Sequence, residues 1–478
     1  MASILSNASV ASSGRVINAA IGIAVTILLT RLLNPTGYGA YSAILSYGML
    51  FQIAGDLGLY LTLTRLLGKS SEHRVDIATT VSLRIALLGV LFFAGLIVAR
   101  LFSPFPGLNI ALLIIMIGLL LQSLSQLCIG VYQAASTIWP ATVGDLVGRL
   151  IQVGAVAWVF WAGVTSQGVL MASIAFTAGA AVACGIHIYL LPHRRFFWPV
   201  FSWKRWQELI KISWPLGLLL VLNTIYFRVD MVMLPLWRGA AEVGLYALAY
   251  RIIENLLFFP AMFGGLLLPH FSRLVHQPTA QAQTILGEAL KVMLVGAAGV
   301  TLLLLSAPDV VIGYIGGHQF LDAIPLLKIL TLALLCMCFG NVFGFVLVAQ
   351  GKNKTLLALY AFLVVFNVVG NIIFIPRFGA TAAAWTTVVT EVIAASTAGY
   401  IVLKHIRASI SPHWLWRWGV ATAISVVVAL RIPPAMPGLA RVVVLTLLFT
   451  ATQALLGSVR KSEFTHLLEK PRSTYANN

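Results

Sequence analysis

The chain is 478 residues long, 60% hydrophobic and only 9% charged, with a mean hydropathy of +0.95. A soluble globular chain carries roughly 25% charged residues, so this one has too few to cover a water-facing surface, and a soluble fold is excluded. Its net charge of +17 would suit nucleic acid if the basic residues formed one patch. They sit instead at the ends of apolar runs, where a membrane protein carries them, so no nucleic-acid partner is expected.

The N-terminus, MASILSNASVASSGR, lacks the basic region of a cleaved signal, and the apolar run after it reads as an uncleaved first span. Helices are the economical way to bury backbone in lipid, because each satisfies its own amide groups. Taken in chain order, the apolar runs place spans near 13–33, 40–66, 77–101, 108–134, 141–163 and 167–191. A second set falls near 212–236, 244–269, 286–306, 322–349, 356–375 and 379–403. A short last pair lies near 417–431 and 439–457, separated by Pro433, Pro434 and Pro437. The expected fold is all-α and integral to the membrane, with about 14 transmembrane helices at about 20 residues each. Cys128, Cys184, Cys336 and Cys338 all fall inside apolar runs, which argues against a disulfide framework, and Cys336 and Cys338 point to different helix faces and make no metal pair.

Basic residues in short loops set the orientation. One side carries Lys69 and Arg74, then Arg194, Arg195, Lys204 and Arg205, then Arg273, Lys352, Lys354, Lys404 and Arg407. The tail adds Arg460, Lys461, Lys470 and Arg472, while the opposite loops AGVTSQG and SAPDVVIGYIGGHQF contain neither Lys nor Arg. Both termini are therefore expected in the cytoplasm, which requires an even number of spans. The longest cytoplasmic connection, PHRRFFWPVFSWKRWQELIK at 192–211, mixes cations with Phe196, Phe197, Trp198, Trp203 and Trp206. It suits an amphipathic stretch on an anionic leaflet, or a plain linker that fixes topology.

That linker separates two similar halves. RLLNPTGYGAYSAI resembles PLWRGAAEVGLYALAY, with Gly39 and Tyr41 opposite Gly244 and Tyr246. GVYQAASTIWPATVGDLVGRLIQVG resembles FVLVAQGKNKTLLALYAFLVVFNVVG, with Gln133 opposite Gln350, and GVTSQGVLMASIAFTAGAAV resembles FGATAAAWTTVVTEVIAAST, with Gly168 opposite Gly379. The offsets are 205, 217 and 211 residues. Six spans per half give matching elements the same direction, a parallel repeat about an axis along the membrane normal, as in transporters that rock two lobes about a midplane site. The expected division is a six-helix lobe at 1–204, a second at 205–404, and an added helix pair with a cytoplasmic tail at 405–478.

Ionisable residues inside spans are costly and by default face a cavity or a partner. Asp56 and Arg84 lie at depths that allow pairing across neighbouring helices. Arg228, Asp230, Arg251 and Glu254 lie at similar levels in spans seven and eight and are read as a small charged cluster. Arg15 opens the first span, where a cation would meet an anionic head group. Asp145 and Arg149 are one turn apart and read as a structural pair, Arg65 and Lys328 as residues that snorkel, and Glu391 lies in a late span. Within the spans Arg is at least as common as Asp and Glu together. Arg suits bidentate phosphate contact, so the interior is a poor host for organic cations and a good one for a phosphate or pyrophosphate. No HExxH, GxSxG or P-loop pattern occurs, the outer loops are short and mostly apolar, and an enzyme is not expected.

RLLNPTGYGAYS, DLGLYLTLTR, RVDMVMLP, VGLYALAYRI, LLPHFSRL, FVLVAQGKNKT and IPRFGATAAAW together, in this order, resemble the polysaccharide-biosynthesis flippases of the Wzx type, within the superfamily that includes multidrug and toxin extruders and lipid II flippases. The resemblance covers about residues 10–405. It implies two pseudo-symmetric six-helix lobes around a central cavity, working by alternating access in the bacterial inner membrane. The implied cargo is a polyprenyl-pyrophosphate-linked oligosaccharide, moved from the cytoplasmic to the periplasmic leaflet for surface polysaccharide. Arg15, Asp56 and Arg84 would line the cavity from the first lobe, and Arg228, Asp230, Arg251 and Glu254 from the second. Membrane lipids, glycosyltransferases and a polysaccharide polymerase are the implied partners. No cofactor or metal is implied, and coupling to a proton or sodium gradient would use Asp56, Asp230 or Glu254. An ion-coupled multidrug exporter and a lipid II flippase stay open as alternatives in the same superfamily, and a membrane-embedded glycan polymerase or ligase as one of a different class.

Overall fold

The computed structural model describes residues 2–68, 73–102, 107–163, 167–191, 197–274, 280–408, 410–433 and 436–459. Among them the regular structure is helical, without a strand. In chain order the helices are α1 (Ala2–Asp56), α2 (Leu59–Leu67), α3 (His73–Phe102), α4 (Asn109–Ala134), α5 (Trp139–Trp161), α6 (Gly168–Tyr189) and α7 (Trp203–Trp237). They continue with α8 (Ala240–Leu274), α9 (Ala280–Ser306), α10 (Pro308–Ile315), α11 (Ile324–Ala349), α12 (Asn353–His405), α13 (Pro412–Ala429) and α14 (Gly438–Leu455).

Ten stretches of described helix are long and apolar enough to cross a membrane. Two of the ten, Ile17–Leu67 and Asn353–His405, are 51 and 53 residues long, far more than the ~20 that one crossing needs. Both bend. α1 leaves helical geometry at Asn34 (φ 52°), and α12 at Gly379 (φ 60°). The first bend is written in the sequence NPTG. Pro35 cannot continue the ladder of the preceding turn but suits the first position of a new helix. The Asn34 carboxamide accepts a hydrogen bond from Gly37 N at 3.1 Å, so Asn34 caps the second arm. The loop expected at 34–39 is therefore a kink. The span expected at 40–66 is itself broken, because Leu57 and Gly58 take positive φ and separate α1 from α2. A fourteen-crossing count is compatible with these helices once each kinked stretch is counted as two and α8 and α13 are included.

The chain packs as two compact units. The first holds Met1–Ala247 with the short segments Ile315–Phe320 and Val368–Ala380. Within it two glycines from the two sequence halves meet. A Cβ on Gly39 would overlap the Ala240 carbonyl and stand 2.6 Å from Gly244 N; one on Gly244 would overlap the Pro35 carbonyl and stand 3.0 Å from Gly39 N. Pro35 and Ala240 each lie four residues before their glycine, so the contact is symmetric about an axis between the glycines, with the halves in the register that the sequence repeat gave them. Around it, Thr30 Oγ1 donates to the Ile315 carbonyl at 2.8 Å, Gln319 Nε2 donates to the Thr30 carbonyl at 2.8 Å, and Tyr38 meets Phe320 edge to face. Arg238 donates to the Ile375 and Pro376 carbonyls at 3.3 and 3.1 Å, and the Glu242 carboxylate accepts from Ala380 N at 2.6 Å. Glu242 thereby caps the second arm of α12 across the Gly379 bend, as Asn34 caps the second arm of α1.

The second unit holds Leu248–Tyr314, Leu321–Asn367 and Thr381–Asn478. In it the last two helices are well-formed, and α14 is one of the ten crossing stretches. Leu302, Ala307, Ala429, Leu445 and Phe449 make one apolar cluster. Polar ties join α13 to α14: Ser425 and Thr452 share a bond of 2.7 Å, Gln453 Nε2 donates to Thr422 Oγ1 at 3.1 Å, and Trp414 Nε1 donates to the Ser458 carbonyl at 3.0 Å. Arg441 of α14 bonds Asp309 at the start of α10. Burial by itself would raise the Asp309 carboxyl, but the Arg441 hydrogen bond and charge, with the amides of Asp309 and Val310, hold it below its ordinary value. The α9–α11 connection, expected as a plain outer loop, contains α10 and a 3-10 turn at His318–Ala323.

Candidate functional site

Asp56 and Arg84 come together as their depths suggested. Asp56 ends α1, just before the positive-φ pair Leu57–Gly58, and its carboxylate also accepts from Tyr60 N at 3.3 Å. Arg84 is fully buried and uses all three guanidinium nitrogens. Nη1 bonds Asp56, Nε donates to Ser123 Oγ at 2.6 Å, and Nη2 donates to Gln126 Oε1 at 3.0 Å. A buried charge is tolerated when paired and hydrogen-bonded, and this one is tied to α1 and α4 at once. Ser123 and Gln126 were not singled out in the sequence. Their signal is the cluster Gln122, Ser123, Ser125 and Gln126 inside an otherwise apolar helix, with the two Arg84 partners three apart on one face. Gln52 adds a further tie between α1 and α4, donating to the Leu119 carbonyl at 3.0 Å.

In the second half two pairings stand out. Asp230 of α7 is buried; Tyr246 of α8 donates its hydroxyl to one carboxylate oxygen, and Met231 N donates to the other at 2.8 Å. Tyr246 is the repeat partner of Tyr41 and had no role assigned from sequence. Arg251 Nη1 lies 3.3 Å from Glu254 Oε2, one turn apart on α8, with the arginine side chain 39% exposed. Arg228 is half-buried on α7. Arg15 lies in α1, and its side chain is outside the described residues.

The remaining charged residues fall as follows. Asp145 Oδ1 stands 3.9 Å from Nε2 of the fully buried His187, a neighbour that sequence reading did not find, and Arg149 reaches towards Gly22 of α1. Arg65 and Lys328 are exposed, as expected of snorkelling residues. Glu391 is buried in α12. Among the described residues no group of His, Cys, Asp and Glu is arranged to hold a metal ion.

No curated protein matches the chain. Solved structures do. Lipid II flippase MurJ in its inward closed conformation superposes with a TM-score of 0.79 at 15% identity, over 96% of this chain and 99% of that one. A multidrug resistance MATE family transporter of the MOP superfamily, facing inward, gives 0.63 at 16% identity over 82% and 95%. An outward-facing MATE structure gives 0.55 at 14% over 85% and 96%. At these identities the likeness establishes the fold, a multi-pass membrane architecture shared with transporters and flippases. A model of the family described as polysaccharide biosynthesis protein matches residues 4–275; with more than half of the chain covered, the protein belongs to the polysaccharide biosynthesis protein family.

Proposed function

We propose that the protein is a flippase that carries a polyprenyl-pyrophosphate-linked oligosaccharide from the cytoplasmic to the periplasmic leaflet of a bacterial inner membrane by alternating access of two lobes. The observation that carries this reading, beside the family, is the environment of Arg228 and Arg251. Arg228 lies in the crossing stretch Trp203–Trp237 and Arg251 in the next helix, α8, and both keep part of their side chain accessible, whereas Arg84 is fully buried. An accessible guanidinium in a membrane helix suits a bidentate contact with an anionic head group, and a pyrophosphate would offset part of its desolvation. In this scheme a guanidinium of the lining holds the pyrophosphate, and Arg228 and Arg251 are the two candidates for it. Arg15 receives it at the cytoplasmic mouth. Asp230 and Glu254 tune the charge of the lining, and Asp56–Arg84 positions α1 against α3 and α4. Asp230, held by Tyr246, is the carboxylate we assign to coupling with a proton or sodium gradient. Glycosyltransferases and a polymerase act before and after the translocation step.

Replacing Arg228 or Arg251 by Ala is expected to abolish surface-glycan export at normal protein level, with polyprenyl-linked oligosaccharide accumulating inside. Full export in both variants would remove these residues from the site. The likeness to the lipid II flippase supports one second reading, a peptidoglycan-precursor cargo. In a deletion strain, accumulation of lipid II rather than of another lipid-linked oligosaccharide selects it.

A further inference from the structure

The connection between α6 and α7 has an inner side and an outer side with different chemistry. The inner side is fastened to the first turns of α3. Val200 N donates to the Ala78 carbonyl at 3.2 Å, Ser82 Oγ donates to the Val200 carbonyl at 2.6 Å, and Trp206 Nε1 donates to Ser82 Oγ at 3.0 Å. Arg205 bonds the fully buried Asp76 and also Glu208, so its charge is taken up within the fold. Leu209 packs inward with Leu59 and Leu83. The outer side shows the reverse composition. Trp198 is 76% exposed, Phe201 69% and Trp203 62%, and Lys204 and Lys211 are both exposed. The two lysines are seven residues apart, so they lie on one face of α7 about 10 Å apart along its axis.

The level of this surface follows from its anchors. Ala78 and Ser82 lie in the first two turns of the crossing stretch Val75–Leu101, and α7 itself enters a crossing stretch at Trp203. Aromatic rings and lysines fastened at the ends of two membrane helices stand at the head-group boundary, where Trp rings sit half in hydrocarbon and lysines meet lipid phosphates.

We infer that the outer face of residues 198–211 is a binding surface for anionic phospholipid head groups of the leaflet at which α7 begins, the cytoplasmic one in the orientation set by the basic loops. The occupant is the bilayer's own anionic lipid. Lys204 and Lys211 select its charge, and Trp198, Phe201 and Trp203 hold the acyl-proximal region. Each lysine at an anionic surface is expected to favour the charged lipid about fivefold, and the pair roughly twenty-five-fold. The inference is independent of the cargo.

The test uses the full-length protein in nanodiscs. One set contains brominated phosphatidylglycerol in unlabelled phosphatidylethanolamine, and a second carries the bromine on the phosphatidylethanolamine at the same mole fraction. The signal is the part of the tryptophan emission that disappears in a Trp198→Phe, Trp203→Phe variant. Brominated phosphatidylglycerol is expected to quench that part several-fold more than brominated phosphatidylethanolamine. A Lys204→Gln, Lys211→Gln variant with the same elution and melting behaviour is expected to lose the difference. Equal quenching by the two lipids in the native protein, or an undiminished preference in the lysine variant, overturns the inference. Relief of the quenching by inorganic pyrophosphate at constant ionic strength also overturns it, by assigning the surface to the head group of the cargo.

Discussion

Arg84 illustrates what a charge inside a membrane helix costs and how the cost is met. Removing its Asp56 partner leaves a guanidinium with no counter-charge in its buried network, a change worth about 3–5 kcal/mol. Asp56→Ala is therefore expected to lower the melting temperature in detergent sharply, and Arg84→Ala to do nearly the same. Replacing both with apolar residues of similar volume, Asp56→Leu with Arg84→Met, is expected to recover most of the loss, because the charge and its desolvation leave together. A double variant as unstable as either single change would show that the pair does more than lock helices. The pairing itself was legible in the sequence from two depths counted off the loops. Ser123 and Gln126 were not, because they carry no charge, and a hydroxyl or an amide in a membrane helix more often bonds its own backbone, as Thr26, Thr331 and Thr390 do here with carbonyls four residues back. Which polar residue reaches sideways depends on helix rotation, and an apolar run with lipid on one side and protein on the other does not reveal rotation without its neighbours.

At the scale of helices, the Gly39–Gly244 crossing is where the repeat becomes a contact. Small residues let two membrane helices approach until backbone meets backbone, and here each glycine faces a carbonyl of the other half. A methyl group has no room. Gly39→Ala or Gly244→Ala is each expected to destabilise the protein by about 3 kcal/mol through overpacking. Once one alanine has pushed the helices apart, the second has less to displace, so the double variant is expected to cost clearly less than the two single changes together. Additive losses in a thermal-unfolding series would mean that the glycines act separately. The sequence announced this pair through alignment of its halves, yet alignment says only that two positions are equivalent. That equivalent positions also touch follows from their lying on the symmetry axis, which a single chain read in order does not display. The kinks divide in the same way. NPTG carries its own stop and start signals, whereas the Gly379 bend is capped by Glu242 from 137 residues earlier in the chain.

For the whole molecule, the distribution of basic residues makes the strongest demand. Lys69, Lys204, Lys352, Lys354 and Lys404 all fall in connections of one parity, and SAPDVVIGYIGGHQF of the other parity has none. If the kinked stretches α1 and α12 each cross twice and α8 and α13 each cross once, the crossings are even in number and both termini share a side. The sum of small head-group attractions in the basic loops is then expected to put that side in the cytoplasm. A green fluorescent protein fused after residue 459 is expected to fluoresce, and alkaline phosphatase at the same point to be inactive. Phosphatase inserted after Gly316, on the opposite parity, is expected to be active. Unlike α14, α13 is not among the ten crossing stretches; it is 18 residues long, about 27 Å at 1.5 Å per residue against a hydrocarbon thickness of about 30 Å. If α13 lay along the surface, α14 would carry the tail across alone. The phosphatase after residue 459 would then be active while the insertion after Gly316 stayed active as well. That pattern would leave the twelve preceding crossings intact and reassign the appended pair, so the two fusions together separate an α13 that lies on the surface from a reversed orientation of the whole chain.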